Sequence, residues 1–177
     1  MYVVIGLLFI AAICFIMAKK KRKQQKVVVA QPLPEPIDSN PNVENIKVAG
    51  VSFRQDEIKS LGERNEDYDL SKAKIKEDLP DESIYEWEFP EYPAKFEFEP
   101  DNEADPNAIA IYVEGVKIGY VKKGSTSHIR NLINSGVIEK ATCKIYGGSF
   151  KRYDSDMEEF ENEKADVAAK VTVIKKA

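Results

Sequence analysis

Cationic side chains interleaved with tyrosines are the feature of this sequence best suited to binding a ligand. The tyrosines are Tyr112, Tyr120 and Tyr146. The cations around them are Lys117, Lys122, Lys123, Arg130, Lys144, Lys151 and Arg152. Aromatic rings stack on nucleic-acid bases and cations pair with phosphates, so the pattern is typical of single-strand binding. The same residues also suit ordinary strands with a solvated basic face, and composition alone favours that interpretation.

The chain has one histidine, His128, which limits catalysis and metal binding. A histidine-rich metal site is excluded, and a catalytic triad would depend on His128 without any nucleophile motif beside it. We expect His128 to be a structural residue near the start of a helix, with a ligand contact as the alternative. The acids Asp101, Glu103 and Asp105 do not form an EF-hand loop, because Pro106 stands where that loop needs glycine. The sequence therefore predicts no metal, no cofactor and no enzymatic activity.

The charge distribution restricts how this protein can bind a nucleic acid. The chain has 177 residues, of which 43% are apolar and 32% charged, as is typical of one globular domain. Residues 1–26 hold six of the 26 basic side chains and no acid, so the rest carries 20 basic and 30 acidic side chains, a net charge of −10. Tight binding along a nucleic-acid backbone requires Lys and Arg to replace counterions. We therefore expect any contact with a nucleic acid to be confined to a local basic patch.

An apolar amino-terminal stretch predicts one transmembrane helix at residues 1–18. It contains 17 consecutive apolar or small residues, enough for a helix of about 26 Å. Residues 19–44 follow as a basic stop-transfer segment and a proline-rich tether. Because the positive charges come after the apolar stretch, the segment differs from a cleaved signal peptide. The positive-inside rule places the amino terminus outside the cell membrane and the remaining domain in the cytoplasm.

Residues 45–177 predict a mainly β domain with added helices. The predicted strands are 46–53, 84–89, 95–99, 108–113, 116–121, 141–146 and 168–174. The predicted helices are 54–62, 65–78 and 125–135. Strands 108–113 and 116–121 form a hairpin, because Gly115 supplies the positive φ of a two-residue turn. Residues 154–166 are expected to be an acid-rich loop. Many short strands with few helices indicate a small barrel or sandwich.

Two stretches of the sequence resemble the HIRAN domain family. Residues 99–113 read Glu-Pro-Asp-Asn-Glu-Ala-Asp-Pro-Asn-Ala-Ile-Ala-Ile-Tyr-Val, and residues 115–123 read Gly-Val-Lys-Ile-Gly-Tyr-Val-Lys-Lys. Residues 48–53 resemble the family's opening strand and residues 127–133 its helix, so the likeness covers residues 46–150. It is similar to the stand-alone members from bacteria and phages. The resemblance implies an OB-like β-barrel that captures the 3′ end of single-stranded DNA, as the eukaryotic member does.

The resemblance also implies a set of binding residues. Asn102 and Asp105 match polar residues of the family's end-binding pocket, while Tyr120 and Lys123 match positions that face the strand. Phe53 matches an aromatic position of the first strand. The complete predicted nucleic-acid-binding set is Phe53, Arg54, Asn102, Asp105, Tyr120, Lys122, Lys123 and His128.

Two positions depart from the family pattern. Ser52 stands where the family has a basic residue, with Arg54 close by, and Ala104 stands where an aromatic residue precedes the aspartate. The absence of both groups weakens the pocket. A second hypothesis therefore stays open, in which DNA binding is lost and the acidic aromatic strands at 84–89 and 96–99 recruit a protein partner to the membrane.

Overall fold

Antiparallel strands with one apolar face close into a barrel in this protein. The computed structural model describes residues 40–177. The strands within these residues are β1 (Val43–Ala49), β2 (Glu63–Arg64), β3 (Ile84–Tyr85), β4 (Trp87–Glu88), β5 (Glu91–Phe98), β6 (Ile109–Val113), β7 (Val116–Val121), β8 (Ile138–Gly147), β9 (Phe150–Asp154), β10 (Glu159–Glu163) and β11 (Val167–Lys175). The α-helices are α1 (Gln55–Lys59), α2 (Lys72–Asp78) and α3 (Thr126–Asn134).

Six strands form the closed barrel in the order β1-β11-β8-β5-β6-β7, with β7 pairing back onto β1. Strand β1 makes this closure by changing partners along its length. Residues 43–47 pair with β11, whereas Val48 pairs with Val121 and Ala49 with Tyr120 on β7. The architecture is consistent with the predicted small OB-like barrel.

The barrel interior is filled by aliphatic side chains from alternating strand positions. Strand β11 buries every second residue from Val167 to Val173, as period-two patterning requires. Ile111 and Val113 of β6 meet them inside the barrel, and Ile129 of α3 joins the same core. The packing of α3 against the core fixes the helix on the barrel, and α3 carries part of the candidate site.

A second, smaller sheet, β10-β9-β3, has its own apolar cluster of Ile75, Ile84 and Tyr153. Residues 154–166 were expected to be a loop, and this expectation is wrong. Most of them belong to the β9–β10 hairpin, because Phe160 on the acidic strand packs against Tyr153 with ring centroids 6.1 Å apart. This ring contact and the pairing of β10 with β9 hold the otherwise acidic segment in a sheet.

Two predicted strands have different bounds in the structure. Residues 84–89 are not one strand but β3 and β4, which lie in separate sheets and are divided by Glu86, whose amide donates to the Ser149 carbonyl at 2.9 Å. The first strand starts at Val43, within the predicted tether, and ends at Ala49. It ends there because Gly50 adopts a left-handed φ of 80° and begins a 3₁₀ turn at Val51–Phe53.

Other predicted elements are confirmed in outline. Helices 54–62 and 125–135 appear as α1 and α3, and the β6–β7 hairpin turns at Glu114 and Gly115 with φ of 47° and 81°. The single helix predicted at 65–78 is wrong. It is a 3₁₀ turn at Glu66–Asp69 followed by α2, because the Ser71 side chain caps α2 by accepting from the Lys74 amide at 3.3 Å.

The transmembrane helix predicted at residues 1–18 and the tether up to residue 39 lie outside the described residues. Within residues 40–177, no helix is both long enough and apolar enough to span a membrane.

Candidate nucleic-acid interface

Three of the predicted site residues lie at the end of strand β7 or follow it directly. Tyr120 lies near the end of β7, and Lys122 and Lys123 follow it directly. Tyr120 pairs with Ala49, after which the 3₁₀ turn begins that ends at Phe53. The Phe53 side chain is 89% exposed, which is unusual for an aromatic ring in this domain. Arg54 follows it and is half-buried.

A bulge in β7 places Lys117 and Tyr120 on one face of the sheet. The partner of Ile111 is Gly119 and the partner of Tyr112 is Lys117, so Ile118 is the extra residue. Without the bulge, residues three apart would point to opposite faces. With it, the Lys117 Nζ atom lies 4.9 Å from the centroid of the Tyr120 ring.

These two side chains join Glu99 and Asn102 in a half-buried polar cluster. Glu99 forms an ion pair with Lys117, and its Oε2 accepts from the Tyr120 hydroxyl at 3.1 Å and from Asn102 Nδ2 at 2.9 Å. The hydrogen bond from Lys117, followed by those from Asn102 and Tyr120, lowers the pKa of Glu99. The hydrogen bond to Glu99 raises the pKa of Lys117. Both groups are therefore charged at neutral pH and hold each other in place.

Asn102 organises the loop that links β5 to β6. Its Oδ1 accepts from the amides of Ala104 at 3.0 Å and Asp105 at 3.1 Å, while its Nδ2 donates to Glu99. Asp105 Oδ1 in turn accepts from the Asn107 amide at 2.9 Å. The polar atoms of Asn102 are thus engaged within the chain. Asn102 was predicted to belong to the binding pocket, and the structure gives it a positioning role towards Asp105.

A cleft of about 420 Å³ opens between this loop and α3. It is lined by Asp105, Asn107, Lys123, Thr126, Ser127, Arg130 and Asn131. Two of the predicted residues, Asp105 and Lys123, meet here. The other predicted residues are not among those lining the cleft, namely Phe53, Arg54, Asn102, Tyr120, Lys122 and His128.

The cleft combines a carboxylate with several groups that bind anions. Arg130 donates to the Asn107 carbonyl at 3.1 Å, and its guanidinium lies 4.4 Å from the centroid of the Phe98 ring. A 3₁₀ turn at Lys123–Ser125 leads directly into α3, and the Thr126 amide donates to the Lys123 carbonyl, so the side chains of the helix supply the groups that face the cleft.

Sequence analysis named Arg130 among the candidate cations but left it out of the binding set, and it missed Ser127 and Asn131. Ser127, Arg130 and Asn131 follow an i, i+3, i+4 spacing, so they share one face of α3. The apolar residues of the helix were used to predict it, and the polar face opposite them was the signal for the site.

His128 and Lys122 contact other parts of the chain. His128 Nε2 lies 2.9 Å from Glu44 Oε2, which ties α3 to β1, and the His128 side chain is 55% exposed. The Lys122 carbonyl accepts from the Ser125 amide at 2.8 Å and so supports the turn before α3. Within residues 40–177, no group of three or more His, Cys, Asp or Glu side chains is arranged to hold a metal ion.

Comparison with known proteins gives one match. The family model described as the HIRAN domain matches residues 89–168. The matched segment contains the 99–108 loop, β7 and α3, and therefore the whole cleft, but not Phe53 or Arg54. No curated protein and no solved structure matches this chain significantly. HIRAN domains are generally DNA-binding modules and usually non-catalytic on their own, so the match supports nucleic-acid binding.

Proposed function

Because residues 89–168 belong to the HIRAN domain family, we propose that this chain is a non-catalytic module that binds the 3′ end of single-stranded DNA. One observation carries the proposal. The carboxylate of Asp105 and the cations of Lys123 and Arg130 line the same cleft, at the start of α3. This combination matches the two chemical groups that a 3′ end presents.

A 3′-terminal nucleotide offers a hydroxyl donor close to a phosphate acceptor. Asp105 has one carboxylate oxygen that accepts from Asn107, and its other oxygen can accept from the terminal hydroxyl. Lys123, Arg130 and the Ser127 hydroxyl suit the phosphate. The contact is confined to one cleft, which fits a domain whose net charge is negative.

An exposed aromatic ring in the turn that follows β1 supports base stacking. Phe53 is 89% exposed and follows the strand that pairs with Tyr120. The Tyr120 hydroxyl is engaged with Glu99, and Lys117 lies against its ring. We therefore assign stacking of a base next to the terminus to Phe53, and we assign to Tyr120 the support of the loop that carries Asp105. A stacked base contributes roughly 1–3 kcal/mol.

The protein-recruitment hypothesis depends on a continuous acidic aromatic surface from strands 84–89 and 96–99. Residues 84–89 are divided between two sheets, with Trp87 paired to Arg64 in one and Tyr85 paired to Phe150 in the other. Because the segment does not form one strand face, its acidic and aromatic residues are not presented together. The cleft is therefore the better-supported site.

The test compares oligonucleotide ends on the full chain. Binding of single-stranded DNA with a 3′ hydroxyl is measured against the same strand with a 3′ phosphate, using fluorescence anisotropy at low salt. We expect the phosphate to weaken binding at least tenfold, because it meets the Asp105 carboxylate. Asp105→Asn should remove most of this discrimination, and Asp101→Asn, an exposed acid on the same loop, is the matched control. Equal binding of the two ends by the unaltered protein would refute end recognition.

We further propose that residues 1–18 anchor the domain in the cell membrane, with the domain in the cytoplasm. The support is the sequence pattern of 17 apolar residues followed by five Lys and Arg. Protease treatment of intact cells and of inverted membrane vesicles tests the orientation. The domain should be digested only in the inverted vesicles and should stay in the membrane fraction after a high-salt wash. Release by salt, or digestion in intact cells, would contradict the proposal.

A further inference from the structure

An aromatic ring lies partly exposed at the end of β5, directly before the loop that carries Asp105. Phe98 is the last residue of β5, and it pairs with Ile109 of β6, which is fully buried. Residues directly opposite each other on paired strands share one face of the sheet, so Phe98 belongs to the core-facing side. Its side chain is nevertheless 39% exposed, which means that part of the ring lies outside the core.

Arg130 of α3 covers this ring. Its guanidinium lies 4.4 Å from the centroid of the Phe98 ring, within the range of about 6 Å over which a cation and an aromatic ring attract each other. One edge of the guanidinium donates to the Asn107 carbonyl at 3.1 Å. The neighbouring residue Ile129 is buried and fixes α3 on the core. The ring, the carbonyl and the helix together give the guanidinium a defined position.

The cleft presents the guanidinium of this pair rather than the ring. Arg130 is among the residues that line the cleft, whereas Phe98 is not, so the ring supports the guanidinium from the side away from the cleft. In the part of the chain that the structure describes, no residue lining the cleft is aromatic. Guanidinium planes stack on nucleic-acid bases as aromatic rings do. Arg130 is therefore the residue of the cleft best suited to stack a base.

Asn107 sets the separation between Arg130 and the carboxylate of Asp105. The Asn107 amide donates to Asp105 Oδ1 at 2.9 Å, and its carbonyl accepts from Arg130 at 3.1 Å. Because both side chains bond to the same residue, the carboxylate and the guanidinium lie at most about 10 Å apart. The 3′ hydroxyl and the base of a terminal nucleotide are attached to one sugar. A nucleotide whose hydroxyl reaches Asp105 therefore has its base within reach of Arg130.

We propose that Arg130 and Phe98 together stack the terminal base of single-stranded DNA, and that this stack makes the cleft prefer a purine at the 3′ end. The inference rests on the proposed end-binding function and adds base specificity to it. The N–H groups on the edge of the guanidinium remain for the phosphate, while its face takes the base. A purine covers more of the guanidinium than a pyrimidine does, so stacking favours adenine over thymine.

The test uses the full chain and single strands of about twelve nucleotides that differ only in the last nucleotide. This nucleotide carries adenine, thymine or no base, and each strand ends in a 3′ hydroxyl. Fluorescence anisotropy measures the affinities. We expect the adenine end to bind about threefold more tightly than the thymine end. It should bind about tenfold more tightly than the abasic end, which is within the range that one stacked base contributes.

Two variants separate stacking from charge. Arg130→Lys keeps the positive charge and loses the planar group, so the tenfold loss at the abasic end should shrink to less than twofold. The slope of log affinity against log salt should stay the same, because the number of charges is unchanged. Phe98→Leu keeps an apolar side chain without the ring, and the loss should shrink to about threefold. The control is Arg64→Lys, which lies outside the cleft beside Asp69 and Glu86 and should keep the tenfold loss.

The outcomes separate this inference from the end-binding proposal. Equal affinity of the unaltered protein for the adenine and abasic ends overturns the inference. So does a tenfold loss that persists in Arg130→Lys or disappears equally in Arg64→Lys. If the unaltered protein does not distinguish a 3′ hydroxyl from a 3′ phosphate but loses affinity at the abasic end in a way that depends on Arg130, the end-binding proposal fails and the stack stands. Circular dichroism checks that each variant is folded, and Arg130→Lys decides the question by itself if Phe98→Leu is not.

Discussion

Replacement of Gly119 by alanine tests the closure of the barrel. A Cβ atom at this position would lie 2.4 Å from the Ala49 carbonyl oxygen and 2.7 Å from Val48 Cγ1, where ordinary contact begins at 3.4 Å. The φ of 154° also lies in a range that side chains rarely adopt. Strand β1 would have to move by about 1 Å at the only two pairs that join it to β7 within the described residues.

The expected loss combines overpacking, about 1–3 kcal/mol, with backbone strain of about 1 kcal/mol. A total of about 2–4 kcal/mol corresponds to a fall in the midpoint of thermal unfolding of about 5–15 °C for a domain of this size. Circular dichroism of the full chain measures the midpoint, and urea denaturation followed by Trp87 fluorescence measures the free energy of unfolding.

Gly124→Ala is the matched control, because a Cβ there meets nothing within 4 Å. It should change the free energy of unfolding by less than about 0.5 kcal/mol. If Gly119→Ala unfolds like the unaltered protein, or if Gly124→Ala is destabilised equally, the close approach of β1 to β7 does not require glycine at position 119.

Three further predictions concern single side chains. The pKa of Glu99 is lowered in the folded state. Its contribution to stability is therefore present above the unfolded pKa near 4.5 and is lost as the pH falls through the folded pKa. Glu99→Gln should flatten the decline in the free energy of unfolding below pH 4.5, as measured by urea denaturation at a series of pH values. Asn102→Ala releases the loop that carries Asp105. It should weaken binding of a 3′ hydroxyl end about tenfold, while the midpoint of thermal unfolding moves by only a few degrees. If the variant binds the 3′ hydroxyl end as tightly as the unaltered protein, Asn102 does not position Asp105. Burial raises the pKa of the Cys143 thiol to about 12, so mass spectrometry should find it unmodified by iodoacetamide at pH 8 until urea unfolds the domain.

Local patterns in the sequence predict much of the barrel. The β6–β7 hairpin follows from Gly115 between two apolar strands, and the strand predicted at 168–174 appears as β11, with buried and half-buried residues alternating. Residues 84–89 show the limit of this reasoning, because their period-two pattern is compatible with one strand. The hydrogen bond from the Glu86 amide to Ser149 depends on a chain segment about 60 residues away, which no local pattern contains.

The site was only partly predictable, because its geometry also depends on contacts that no local pattern contains. The family resemblance identified Asp105 and Lys123, which share the cleft. It did not separate a residue that lines the cleft from one that holds the loop in place, and Asn102 belongs to the second kind. The contact between Lys117 and Tyr120 depends on a bulge at Ile118, and a bulge leaves no mark in an alternating apolar pattern.

The position of β11 between β1 and β8 has a consequence for how the protein is made. Val43 near the start of the barrel pairs with Ile174, 131 residues later in the chain. During synthesis the barrel cannot close until β11 has left the ribosome, and until then the apolar faces of β6, β7 and β8 have no complete core to enter. Contacts between such distant residues slow folding, so nascent chains should bind chaperones until β11 emerges.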